Sequence, residues 1–133
     1  MLLAALGFCS ACSASDGISL LSPLEFRHKV SSDTLAVVLD VRRPAEYAEG
    51  HLPGAILIDW LDPESFNEKV TTLDKSRHYY LYCRSGRRSH EAALRMKELG
   101  FTDIADMKGG ILAWKRCDLP IATDCYFGLE DIK

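Results

Sequence analysis

A chain of 133 residues, 47% hydrophobic and 26% charged, has room for one domain with one proper core and no more. Its net charge of -3 gives no electrostatic case for nucleic acid as a partner. The basic character is local, at Arg84, Arg87 and Arg88, and that scale suits a small anionic ligand better than a long polyanion.

Residues 1–15 read as the end of a secretory or lipoprotein signal. An apolar run gives way to small residues, and Cys12 follows Ser10-Ala11 as the residue to carry a lipid. The lack of a basic leader, and Cys9 where such signals usually have leucine, support the other reading, an ordinary apolar segment packed on the domain. On the first reading the protein is exported, periplasmic or lipid-anchored, and meets a membrane only through Cys12. On the second it is cytoplasmic. The run is too short to span a bilayer.

Ile18-Ser19-Leu20 suits an edge strand. Ser22, Pro23 and Glu25 then form a helix start, with a capping serine, a first-turn proline and a glutamate three residues on, and the helix runs to about Val30. Leu35–Val41 is an almost unbroken apolar run, read as a strand buried on both faces. Pro44–Ala48 is a short helix closed by Gly50, His51–Gly54 a turn, and Ala55–Ile58 a second buried strand. Asp62-Pro63-Glu64 opens a helix to about Leu73, and Tyr79–Tyr82 is the third strong strand. Ala92, Ala93, Leu94, Met96 and Leu99 share one face of a helix over Arg87–Leu99. Thr102–Met107 is a weaker strand. After the Gly109-Gly110 turn, Ile111–Trp114 begins a last helix ending near Pro120, with Trp114 in the core. Strands alternating with helices predict an α/β sandwich around a mostly parallel sheet, helices on both faces, over residues 21–121, followed by a tail over 122–133.

In such folds ligands bind beyond the carboxyl ends of the strands. Cys83 and Asp40-Val41-Arg42 both fall at such ends. Cys83 lies between the end of a buried strand and the start of a helix, where unpaired N–H groups, the helix dipole and three arginines all favour an anionic sulfur. The competing reading, an inert buried cysteine, suits a purely apolar setting. Five cysteines leave at least one thiol unpaired within a single chain. Cys9 and Cys12 have metal or redox spacing but no matching second pair, so zinc is weakly supported. Cys117 and Cys125 are free to pair in an oxidising compartment.

Three separated stretches together resemble a known family. They are Leu39–Tyr47 continuing to His51–Ala55, then Tyr82–Ser89, then Gly100-Phe101 with Gly109–Trp114. In this order and spacing the chain is similar to single-domain rhodaneses, the thiosulfate sulfurtransferase-like proteins, whose fold is a three-layer α/β sandwich. The resemblance implies that Cys83 attacks the outer sulfur of an anionic donor such as thiosulfate, that sulfite leaves, and that the resulting persulfide is passed to cyanide, a thiol or a protein acceptor. It implies no metal and no organic cofactor beyond that covalent intermediate. Backbone N–H groups of Arg84, Ser85, Gly86, Arg87, Arg88 and Ser89 would cradle the donor, and the guanidinium groups of Arg84, Arg87 and Arg88 would orient it. Arg42, at a strand end, is a further substrate contact to test. Asp40, Arg42, Glu46 and His51 suit a polar network bracing the first motif.

Two other functions remain open at this stage. One is a rhodanese-like relay or docking module that works only with a protein partner. The other is a cysteine phosphatase or arsenate reductase. Those enzymes use a longer loop with arginine six positions after the cysteine, where this chain has Ser89.

Overall fold

The computed structural model describes residues 16–124. The expected signal segment with Cys9 and Cys12, most of the tail, and Cys125 lie outside the described residues.

Five strands form one sheet: β1 (Ile18–Leu21), β2 (Ala36–Asp40), β3 (Ile56–Leu57), β4 (His78–Tyr82) and β5 (Ile104–Met107). Their order is β1-β5-β4-β2-β3, and every pairing is parallel. The connections are α1 (Pro23–Ser32), α2 (Pro44–Glu49), α3 (Pro63–Val70) and α4 (Arg87–Glu98), with α5 (Gly110–Arg116) following β5. α1 starts on the expected box: Glu25 N donates to Ser22 Oγ at 3.2 Å and Ser22 N to Glu25 Oε1 at 2.8 Å.

The sheet divides the interior into two cores, because successive side chains of a strand point to opposite faces. Tyr79, Leu81 and Cys83 join Val37, Leu39, Phe66, Val70, Ala92, Ala93 and Met96 on the face covered by α3 and α4. Tyr80 and Tyr82 join Phe26, Val38, Tyr47, Ile111 and Trp114 on the face covered by α1, α2 and α5. Strands buried on both sides are continuous apolar runs, which is why β2 and β4 read so clearly.

The paired segments are shorter than the apolar runs. β3 keeps two paired residues because β2 supplies partners only to Asp40. Ile58 and Trp60 then bond to the Asp40 and Val41 carbonyls as the chain turns away. Thr102 and Asp103 precede the ladder of β5, though the Asp103 carbonyl still accepts from Tyr79 N at 3.0 Å.

The register sets the position of the site. Asp40 pairs with Tyr82, so β2 and β4 end level, and Val41 and Cys83 emerge side by side at the carboxyl edge of the sheet. β5 lies on the other flank of β4, and its outgoing chain enters α5 beside the same edge.

Candidate functional site: a buried thiol at a helix start

Cys83 is the first residue after β4, and its side chain is buried with the α4-facing core. The chain then reverses through Arg84, Ser85 and Gly86 into α4. Gly86 sits at φ 111°, left-handed backbone that a glycine adopts without strain. This brings Gly86 N to 3.1 Å from Cys83 Sγ, and Ser89 Oγ, one turn into α4, to 3.4 Å. Both groups donate, so the sulfur has the partners of an anion at the mouth of a helix.

The loop is also held from behind. Ile111 N donates to Cys83 O at 2.9 Å and Leu112 N to Arg84 O at 3.2 Å. Helix starts need acceptors for their N–H groups, and here α5 takes the backbone of the cysteine loop. The approach demands glycine at position 110. A Cβ there would strike the Arg84 carbonyl and stand 2.7 Å from Cys83 O, and Gly110 has φ 60°. Gly109-Gly110 thus does more than turn the chain.

The three loop arginines differ. Arg88 makes a paired bond to Glu46 of α2, 2.8 Å on each side. That bond holds the Glu46 carboxyl down to about 2, while the Glu46 side chain also accepts from Arg43 N at the start of α2. Arg87 is almost wholly exposed and lies 3.6 Å from Glu91 one turn along. Arg84 is exposed and makes no ion pair with any described residue. With Arg42, Glu49, Gly50, Leu112 and Lys115 it lines a cleft of about 110 Å³ beside the loop. A larger cavity of about 180 Å³ between α1 and α5 is apolar and includes no loop residue.

Arg42 lines the same cleft, but its Nε and Nη2 are bound to Asp40, and Nη2 also donates to Gly50 O at 2.7 Å. Burial disfavours its charge, and Asp40 more than compensates, holding the guanidinium above its ordinary value. Tyr82 OH bonds to Asp40 Oδ2 and accepts from Leu52 N at 3.0 Å, and burial pushes its phenol far up. This buried knot ties β2, β4 and the turn after α2 together.

The expected network of Asp40, Arg42, Glu46 and His51 is therefore three separate contacts. His51 stacks on Tyr47 and bonds to Tyr47 O and Asp124, each at 3.0 Å, and no bond joins it to the sulfur. Sequence reasoning missed Asp106. It seemed remote because it lies beyond α4, yet β5 neighbours β4, and Asp106 is buried with its Oδ2 3.8 Å from His90 Nδ1 on α4.

With this geometry established, the comparisons with known proteins are specific. The rhodanese-like domain model matches residues 22–117, and the chain belongs to that family. A sulfurtransferase of Allochromatium vinosum is 39% identical over 93 residues, which is 69% of this chain and 84% of that protein. The probable adenylyltransferase/sulfurtransferase MoeZ of Mycobacterium tuberculosis is 37% identical over 101 residues, covering 74% of this chain but only 25% of that longer protein. A rhodanese-related protein of Thermoplasma volcanium has the same fold, with a TM-score of 0.69 at 24% identity over 80% of this chain and 99% of that one.

Proposed function

We propose that the protein is a sulfurtransferase that carries a sulfane sulfur as a persulfide on Cys83, taking it from thiosulfate or another persulfide donor and delivering it to a thiophilic acceptor. One observation carries this reading: the Cys83 sulfur receives donors from Gly86 N and Ser89 Oγ at the start of α4. In the first half-reaction the thiolate attacks the outer sulfur of thiosulfate, the S–S bond breaks with its electron pair on the departing sulfite, and an anionic persulfide remains. In the second, an acceptor nucleophile attacks the outer sulfur and the thiolate returns. No net proton transfer is required when donor, enzyme and acceptor all react as anions. Arg84, which lines the cleft and makes no ion pair with any described residue, is the cation best suited to a sulfonate. Ser85 and Arg87 are exposed beside Cys83, within reach of an incoming donor. The reaction draws on no metal or organic cofactor.

Two further readings are weighed against this one. The matching stretch is only a quarter of the longer MoeZ, where it stands beside other parts of that chain, and this fits the reading of a relay or docking module that works with a protein partner. Against phosphate chemistry, the sixth residue after Cys83 is a buried serine, and Arg88 at the fifth is committed to Glu46. Steady-state transfer from thiosulfate to cyanide, assayed beside aryl phosphate hydrolysis, tests these readings. Cys83-dependent transfer with no phosphatase turnover supports the proposal. Phosphatase turnover lost in C83S refutes it. Transfer seen only with a protein persulfide donor selects the relay.

A further inference from the structure

The cleft beside the cysteine loop carries more charge than a sulfur donor needs. Two of the charged side chains that line it are already satisfied, Arg42 by Asp40 and the Gly50 carbonyl, and Glu46 by Arg88. Arg84, Lys115 and Glu49 are not. All three are exposed, and none makes an ion pair with any described residue. Glu49 closes α2, Lys115 lies in the last turn of α5, and Arg84 follows Cys83. The α5 wall of the cleft is tied to the loop, because Leu112 N donates to Arg84 O at 3.2 Å.

Glu49 is the odd member. A carboxylate at the carboxyl end of a helix meets the negative end of its dipole, and the last turn of α2 has no basic residue to offset it. Glu49 also repels any anion that Arg84 and Lys115 draw in, so for thiosulfate alone it is a hindrance. A local rule broken without structural gain points to function. For a ligand that carries an ammonium group beside a carboxylate, the same three charges are complementary. That pattern is the head group of an amino acid. The cleft, at about 110 Å³, has the volume of a few water molecules, which is the scale of such a head group.

We propose that the cleft holds the amino-acid head group of a small thiol acceptor, with Arg84 and Lys115 on its carboxylate and Glu49 on its ammonium. Glu49 and Lys115 are then specificity-determining residues for the second half-reaction. This inference rests on the reading of Cys83 as the sulfur carrier. The acceptor thiolate attacks the outer sulfur of the Cys83 persulfide and forms a new S–S bond. The bond to Cys83 Sγ breaks with its electron pair returned to the cysteine thiolate. The acceptor leaves as an anionic persulfide, and no proton is exchanged. Sulfite has departed by then, so Arg84 serves donor and acceptor in turn. Free cysteine and a γ-glutamyl thiol peptide such as glutathione both carry this head group.

The test starts from sulfur-loaded protein, confirmed by mass, and follows its discharge by L-cysteine, glutathione, cysteamine, 3-mercaptopropionate and 2-mercaptoethanol at one pH. Each rate is taken as variant over wild type, so the thiols' own reactivities cancel. E49Q should raise the half-saturating concentration of a zwitterionic thiol about threefold to fivefold, the scale of one exposed ion pair. It should also slow cysteamine and speed 3-mercaptopropionate. K115M should slow 3-mercaptopropionate and the zwitterionic thiol but not cysteamine, and 2-mercaptoethanol should respond to neither change. A loss with cysteine assigns the free amino acid, and a loss with glutathione the peptide. Equal ratios across all the thiols overturn the proposal. Protein that cannot be loaded refutes the sulfur-carrying reading instead, and a binding titration then tests the cleft by itself. S-methylcysteine and S-methylglutathione carry the head group but cannot accept sulfur. Saturable shifts of the Leu112 and Lys115 amides with either one, lost in the E49Q/K115M double variant, support the site. No saturable shift with either overturns it.

Discussion

Replacing Gly110 by alanine sets a methyl group against the backbone of the cysteine loop. The new Cβ would strike the Arg84 carbonyl and stand 2.7 Å from Cys83 O, and these are main-chain atoms that no rotamer change can clear. The loop must retreat or α5 must tilt. Either movement loosens the bonds from Ile111 N to Cys83 O and from Leu112 N to Arg84 O. Two such bonds contribute about 1 kcal/mol each, and a Cβ at positive φ costs about 1–2 kcal/mol. The expected loss is about 3–4 kcal/mol, a large share of the stability of a domain of this size. Thermal unfolding should fall by roughly 10 °C or more. A sulfur displaced by about 1 Å from its donors should cost on the order of a hundredfold in rate. Gly109→Ala is the control. It also has positive φ, but its Cβ meets the Ala113 side chain inside α5, at 2.7 Å, and not the loop. The assay is single-turnover persulfide formation below the unfolding transition of each variant. The account requires G110A to lose far more rate than G109A at comparable folded fractions. A folded G110A protein with wild-type rate would refute the claim that α5 holds the loop in place.

Other outcomes are equally direct. Arg84→Ala should weaken thiosulfate use severalfold through KM and reduce its sensitivity to salt, which screens over about 8 Å at physiological ionic strength; equal losses with a neutral donor would assign Arg84 a shaping role. Arg88→Ala should instead destabilise the fold by about 1–2 kcal/mol, discounted for the partial exposure of the pair, as read by denaturant unfolding. Glu46 is depressed to about 2 in the fold, so its contribution is present above an unfolded value of about 4.5 and is lost as pH falls through 2; Glu46→Gln should flatten stability across that acid window. Asp106 has the opposite sign. Its carboxyl is raised from 3.8 to about 6, so the fold loses stability as pH climbs through that interval and bears the full cost above it. Asp106→Asn should therefore stabilise the protein at pH 7 by up to about 3 kcal/mol, with no gain at pH 3.

Much of the fold was legible because the forces involved are local. The apolar runs of β2 and β4, the Ser22–Glu25 box and the α4 periodicity each declare an element within a few residues. The abrupt change from Tyr79–Tyr82 to a glycine-bearing basic loop marked Cys83 as a thiol at a helix start. What the sequence could not display were contacts made by strand order. Asp106 stands beside His90 of α4 because β5 lies next to β4, and nothing near Asp106 in the chain mentions His90. Arg88 and Arg84 look alike in a line of letters. Only the fold, which brings the starts of α2 and α4 together at the carboxyl edge of the sheet, gives Arg88 to Glu46 and leaves Arg84 at the cleft. Gly110 likewise reads as a turn residue until α5 is seen against the Cys83 carbonyl.

The most direct test of the sulfur-carrying role is the mass of the protein itself. Purified reduced protein is incubated with thiosulfate, freed of small molecules without reductant, and measured intact and then as peptides. One added sulfur atom on the peptide containing Cys83, removed by cyanide and absent from the C83S variant, is the result the account predicts. An unmodified Cys83 after exposure to both thiosulfate and a persulfide donor, in a protein shown to be folded, would contradict it.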